Sequence, residues 1–288
     1  MGLENFIPEM WSSTLFVKLR KSLVFGGLSN KNFVEELFDY GDTVHINEIG
    51  PVTVNSYTKG ATLTYENLNS AQKTLIIDQA SSFSFKIDDI DKAQNNPSVM
   101  DGAMSDAAYR IGDTIDQFIS GLYSQAGVAS VSTYTGTAAT SLSVSSGNVM
   151  ETMSYLERYL SEANCPTQGR WIVVPPWFHQ KLVVAETGLV SATAVPKTES
   201  DGAIVQGFIG SFMGFDIFVS NNVSNNGTQY RIMCGTNDAI SYGGQISEIE
   251  ALRLQTTFAN AARGLYVYGG KVTRPEALLT LYAAEVAG

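Results

Sequence analysis

Apolar residues recur at helical spacing in one long stretch of the chain, preceded by short runs rich in Thr, Val, Ile and aromatic residues that alternate poorly. Met104, Ala108, Ile111, Ile115, Phe118 and Leu122 follow one another at alternating steps of four and three. That spacing puts them on one stripe of a helix. Asp106, Arg110, Asp113, Asp116 and Gln117 fall mostly off the stripe, on what should be a solvated face. Asn96-Pro97-Ser98 offers a capping residue and a proline suited to the first helical position, and Gly127 offers a stop. The pattern predicts a helix from about Pro97 to about Ala126, roughly 45 Å long at 1.5 Å per residue. Gly112 and Gly121 each cost about 1 kcal/mol against alanine, so tertiary packing must hold this rod. A core helix of an ordinary enzyme would read the same way.

Upstream, residues 1–41 read as an arm. Phe6, Trp11, Leu15, Phe16, Leu19, Leu23 and Val24 are apolar and loosely helical, and Gly26-Gly27 should break the segment. A bare leader of this kind would be aggregation-prone, so it needs cover from its own domain or from a neighbour. Thr43–Asn47 and Val52–Tyr57 read as strands around Gly50-Pro51, and Ala61–Tyr65 and Lys73–Asp78 as strands around Glu66–Gln72. Ser82–Ile87 then leads to the helix. The stretch from Tyr57 to Ile87 reads as one long hairpin with a polar tip. A two-stranded hairpin is marginal alone, so this one should lie on a neighbouring subunit. The alternative is a flap over an active site of its own chain.

Downstream, Val128–Ser146 is rich in Ser, Thr, Ala and Gly and reads as loop or edge strand. Asn148 precedes a second helix, Val149–Ala163, with Val149, Met153, Leu156 and Leu160 as its stripe. Trp171–Val174 reads as a short buried strand, and Pro175-Pro176 opens a third helix through Val184. Thr187–Gly202 reads as a polar loop, Phe215–Ser220 and Gln229–Cys234 as strands, and Asn237–Tyr242 as a short helix. From Glu248 the chain returns to strand, with Gly264–Gly269 and Ala277–Leu281 expected to pair across Arg274-Pro275. The fold class is α+β, with an α/β lobe inserted into a β and helix body.

Charge narrows the function. The formal net charge is −10, which argues against wrapping nucleic acid through phosphate contacts. Only 16% of residues are charged, so much of the surface is neutral and suits polar subunit contacts. No signal peptide and no membrane span are read, and a soluble protein made in a cytoplasm is expected.

The search for chemistry yields little. His45 and His179 lie far apart in the chain and read as packing or surface residues. Cys165 and Cys234 have no ligand spacing and read as free thiols. No His-Glu-x-x-His, Cys-x-x-Cys or calcium loop is present, so no metal and no cofactor is expected. Gly207, Gly210 and Gly214 lack phosphate-loop spacing and read as turns beside Phe208, Phe212 and Phe215. Asp88-Asp89 reads as a strand end, and Asp113 with Asp116 as part of the helix's solvated face. No catalytic residue is assigned.

Several stretches together carry a resemblance. Phe6-Ile7-Pro8-Glu9-Met10-Trp11-Ser12, Gly41-Asp42-Thr43-Val44-His45-Ile46, Arg170-Trp171-Ile172-Val173-Val174-Pro175-Pro176 and Gly264-Leu265-Tyr266-Val267-Tyr268-Gly269 followed by Arg274-Pro275-Glu276-Ala277 occur in a telling order. In that order the chain resembles the major capsid protein of tailed double-stranded-DNA bacteriophages. The resemblance implies an N-terminal arm (1–41), β body entry and extended hairpin loop (42–96), and spine helix with peripheral domain (97–146). It further implies an axial lobe (147–247) and peripheral return strands (248–288). It implies pentamers and hexamers closing an icosahedral shell around DNA that is held without sequence-specific binding, with no membrane partner. Because the chain starts almost at the arm, a separate scaffolding protein is expected, beside a portal and decoration proteins, with assembly in the bacterial host cytoplasm. Some relatives crosslink a loop lysine to a neighbour's asparagine; Lys73 and Lys86 are expected in the loop, and nothing marks an acceptor. An encapsulin-like cellular compartment is the alternative within the fold, and a small hydrolase the alternative of another class.

Overall fold

The run Arg170–Val174 (β5) is buried at every position, as a strand covered on both faces requires. It sits inside a six-stranded sheet of order β4-β11-β8-β5-β7-β6. The other members are Leu142–Val144 (β4), Phe208–Phe212 (β6), Phe215–Val219 (β7), Tyr230–Thr236 (β8) and Leu278–Glu285 (β11). The computed structural model describes residues 24–31, 41, 43–49, 54, 56, 59–60, 70–88, 98–128, 131–185, 208–253 and 259–286.

Successive residues of a strand face opposite sides, and the register sorts the sheet accordingly. Trp171 and Leu278 both oppose Gly235, and Tyr282 opposes Arg231. On that face Thr280 Oγ1 donates to the Tyr123 carbonyl at 2.9 Å, and the Arg231 guanidinium lies 4.8 Å above the Tyr123 ring. On the other face lie two helices, Val149–Glu162 (α4) and Pro176–Ala185 (α5). There Trp177 meets Tyr230 edge-on at 5.5 Å, and Arg170 Nη1 donates to Ser161 Oγ at 3.1 Å. Val149, Met153, Leu156 and Leu160 are all fully buried, as their spacing predicts.

The long helix, Ser98–Ser120 (α2), tightens into a 3-10 turn at Gly121–Gln125. Its N-terminal proline lies outside the described residues. Met104, Ala108, Ile111, Ile115 and Leu122 are buried and Phe118 is half-buried. The buried face is wider than the expected stripe, because Asp116 and Ile119 are buried as well. The cause is a four-residue helix, Phe25–Leu28 (α1), packed on that flank. Gly26 and Gly27, expected to break a helix, form its middle.

A second, three-stranded sheet has the order β3-β10-β9, from Gln79–Asp88 (β3), Ala259–Val272 (β10) and Ile240–Arg253 (β9). Phe118 of α2 packs edge-on against Tyr268 of β10 at 5.2 Å. The remaining strands, Thr43–Ile49 (β1) and Ser70–Ile76 (β2), form a two-stranded antiparallel ribbon.

Several expectations need correction. Thr43–Asn47 lies in β1, which pairs with β2, and that register sets Val44 opposite Leu75 so both bury against Val267, while most of Val52–Tyr57 lies outside the described residues. The stretch from Tyr57 to Ile87 is not one hairpin. It breaks at Ile77-Asp78, where β2 belongs to the ribbon and β3 to the three-stranded sheet. Expected strand Ala61–Tyr65 and loop Thr187–Gly202 lie outside the described residues. Val128–Ser146 contains a single helical turn, Ser132–Thr135 (α3), besides the edge strand β4. Phe208–Phe212 is a strand, because its alternate residues Gly210 and Phe212 are buried against the sheet. The turn between β6 and β7 is made by Met213 (φ 46) and Gly214 (φ 77), where glycine suits the left-handed backbone. Asn237–Tyr242 is not a helix. The Ala239 N–H closes a turn onto Thr236 O, and the Ala239 carbonyl accepts from Thr273 and Arg274, which starts β9 as a strand. Finally, β10 and β11 do not pair. A 3-10 turn at Pro275–Ala277 carries the chain from one sheet to the other, so β10 lies in the three-stranded sheet and β11 in the six-stranded one.

Candidate functional site

Three features stand out on the body, and each is anchored by identifiable residues. The first is the ribbon. Its core is small: Val44, Leu75 and Ile77 with Val267 of β10, flanked by half-buried Ile46 and Leu265. Lys73 Nζ donates to the Thr273 carbonyl at 2.6 Å, and the Gly41 N–H to Ile77 O at 2.9 Å. At Gly269 any added Cβ would collide with the Ile76 carbonyl, so glycine is what lets β10 and the ribbon approach. Lys73 thus stands at the ribbon, whereas Lys86, expected in the loop, lies exposed on β3 opposite Ala261 of β10.

The second is the outer face of α2. Tyr109 is 64% exposed, and Arg110 donates from Nε to Asp106 Oδ2 at 2.7 Å one turn back. A groove of about 600 Å³ runs between this face and β3, lined by Ser82, Phe83, Phe85, Arg110, Ile111 and Thr114 among others. The third is the place where residues 1–23 join the body. Phe25 and Leu28 are buried in the main core, and Asn30 exchanges backbone bonds with Ile240 and Tyr242 of β9 at 2.8 and 3.1 Å.

The residues screened for chemistry are dispersed over different elements. His45 is exposed on β1, its Nδ1 3.4 Å from Thr74 Oγ1 on β2. His179 is half-buried on α5; burial lowers its pKa, and its buried Nε2 has no hydrogen-bond partner. Cys165 and Cys234 are buried free thiols, as expected. Burial pushes both thiols up, and they donate to the carbonyls of Glu276 (3.3 Å) and Leu279 (3.7 Å). Such thiols are poor nucleophiles. Gly210 is buried in β6, Gly214 forms the next turn, and Gly207 lies outside the described residues. Asp88 ends β3, and Asp89 lies outside the described residues. Asp113 accepts from Gln117 Nε2 at 2.9 Å. Asp116, expected on the solvated face, is instead 2% exposed. Among the described residues no group of three His, Cys, Asp or Glu could hold a metal ion, and no helix is long and apolar enough to cross a membrane.

One structural residue escaped the sequence reading. Arg170 is buried, and its donors reach Pro166 O (2.7 Å), Cys165 O (2.7 Å) and Ser161 Oγ, with the Glu157 carboxylate 3.5 Å away. It ties the end of α4 to β5. The only signal was an arginine directly before an apolar run.

The comparisons with known proteins agree with this geometry. A model of the phage capsid protein family matches residues 72–281. No curated protein matches the sequence. A solved structure from Mycobacterium phage Che8 is similar with 26% identity and a TM-score of 0.68, over 90% of each chain. The capsid structure of cyanophage P-SCSP1u is similar with 16% identity and a TM-score of 0.66, over 92% of this chain and 89% of that one. The capsid of Ralstonia phage GP4 is similar with 12% identity and a TM-score of 0.63, over 90% and 88%. The last two show the fold. The role is structural, in the capsid of the virion, and not enzymatic. With a family model matched from β2 through β11 and a shared fold over nine-tenths of the chain, this protein belongs to the phage capsid protein family.

Proposed function

We propose that the protein closes an icosahedral shell as pentamers and hexamers around double-stranded DNA, using the ribbon, the outer face of α2 and the N-terminal segment as its contacts between copies. The observation that carries this is the ribbon: among the described residues, two strands rest on a core of four buried side chains, one of them borrowed from β10. So small a core suits an element that gains further cover from a neighbour. The acidic total of −10 suits a wall that confines DNA without gripping it.

On this reading the peripheral body comprises the three-stranded sheet, α2 and the ribbon. The axial lobe comprises the six-stranded sheet with α4 and α5. A scaffolding protein, a portal and decoration proteins are further partners, and assembly takes place in the cytoplasm of the bacterial host.

The test is electron microscopy and light scattering of the full chain, expressed alone and with a scaffolding protein from the same phage. Closed particles or capsomers are expected. Removing residues 61–69, between Gly60 and β2, should leave the subunit folded and abolish normal shells. A strictly monomeric protein in every condition, or a deletion variant that builds ordinary shells, would overturn the reading.

A further inference from the structure

Asp116 is the one acidic side chain buried among the described residues. Three elements meet at it. From α2 its Oδ1 accepts the Phe25 N–H of α1 at 2.8 Å, and its Oδ2 lies 3.4 Å from Asn222 Nδ2, in the turn after β7. The N–H groups of Val24 and Gly26 add to the same cluster of donors. The first amides of any helix lack partners within it, and here a carboxylate from a different element supplies them. Among the described residues no cation contributes to the environment of this carboxyl. α1 offers Phe25, Gly26, Gly27 and Leu28, and the turn offers Ser220, Asn221, Asn222, Val223 and Ser224. On α2, Asp113 stands one turn back, bonded to Gln117. On β9, buried Tyr242 is bonded to Tyr266 through its hydroxyl. Lys31 follows Asn30, beyond the bonds to β9.

We propose that Asp116 is a latch that holds residues 24–31, and hence the departure point of residues 1–23, to the body, and that it grips harder as the medium is acidified. Burial raises the carboxyl from its ordinary 3.8 to about 6, against the hydrogen bonds, which lower it. In an opened segment the carboxyl meets water and returns toward its ordinary value. The docked form is thus the better proton binder. Acid favours docking; the gain is complete below the ordinary value and is lost as pH rises through about 6. At neutral pH the segment opens more readily, which would free the N-terminal chain to reach a partner. The latch belongs to the single subunit and does not depend on how, or whether, copies assemble.

Hydrogen exchange of the full-length protein, corrected for intrinsic rates, reads the latch directly at the amides of Phe25, Gly27 and Leu28. Protection should rise roughly ten-fold from pH 7.5 to pH 5. Asp116→Asn keeps an acceptor without the charge, so protection should be high and flat with pH. Asp116→Ala should lose protection at both values. A wild type with flat protection, or an Asp116→Asn variant that keeps the wild-type slope, would overturn the proposal. Should Asp116→Ala not fold, the comparison of wild type with Asp116→Asn decides by itself.

Discussion

The six-stranded sheet and the ribbon are both β structure, yet they are held in opposite ways. The sheet is covered on both faces. Ile172, Val173, Val174, Ile232, Met233, Leu278 and Leu281 are fully buried, and Arg170 staples α4 to the sheet. The ribbon has seven residue pairs, but among its described side chains only Val44, Leu75 and Ile77 are buried, and it borrows Val267 from β10. Hydrophobic stabilisation scales with apolar area removed from water, so the sheet can stand within one subunit while the ribbon is left with unspent surface.

That contrast can be tested by attacking each side. The largest effect should come from Arg170→Ala, which strands the buried Cys165 carbonyl, removes the bond to Pro166 and opens a cavity. A loss of roughly 3–5 kcal/mol in urea denaturation is expected. A loss under about 1 kcal/mol would show that the six-stranded sheet does not depend on its staple. Next is Met104→Asp, which sets an unpaired charge at a position 7% exposed. It should cost roughly 2–5 kcal/mol, and unchanged melting would mean that this end of α2 is open to water. Gly269→Ala should cost less, about 1–3 kcal/mol, through overpacking. Its signature is local: exchange of the β1 and β2 amides should accelerate while those of β5 and β8 stay protected. If all strands lose protection together, the ribbon is part of the main cooperative unit and the contrast fails. Smallest is Arg110→Ala on the solvated face of α2, where no measurable shift in melting is expected because exposed ion pairs contribute little. A defect in particle assembly without a melting change would mark that face as a contact surface.

The parts legible in the sequence are those governed by local periodicity. The stripe from Met104 to Leu122 and the stripe of α4 bury as their spacing requires, and the apolar run before Pro175 is a buried strand. The free thiols follow from spacing too. What local pattern misjudged was strand partnership. Lys73–Asp78 and Ser82–Ile87 read as strands and are strands in large part, but β2 and β3 join different sheets. Hairpin pairing of neighbours is the default for antiparallel strands, and nothing in the residues between β10 and β11 announces that the chain changes sheet there. Asp116 was misplaced for a related reason. Its position on the helix wheel is polar by pattern, and only the docking of α1, distant in sequence, encloses it.

By itself, then, the sequence determined the helical courses of α2 and α4, the extended run of β5, which faces of α2 and α4 are apolar, and the ordered stretches that carry the family resemblance. Those properties depend on side chains within a few residues of one another. The tertiary structure alone decided which strands pair, that the ribbon leans on Val267, that Arg170 is a staple and that Asp116 is enclosed. Apart from the Arg170 contacts, which lie close by in the chain, these depend on contacts between residues tens to hundreds of positions apart, whose free energies are set by burial that no local pattern encodes.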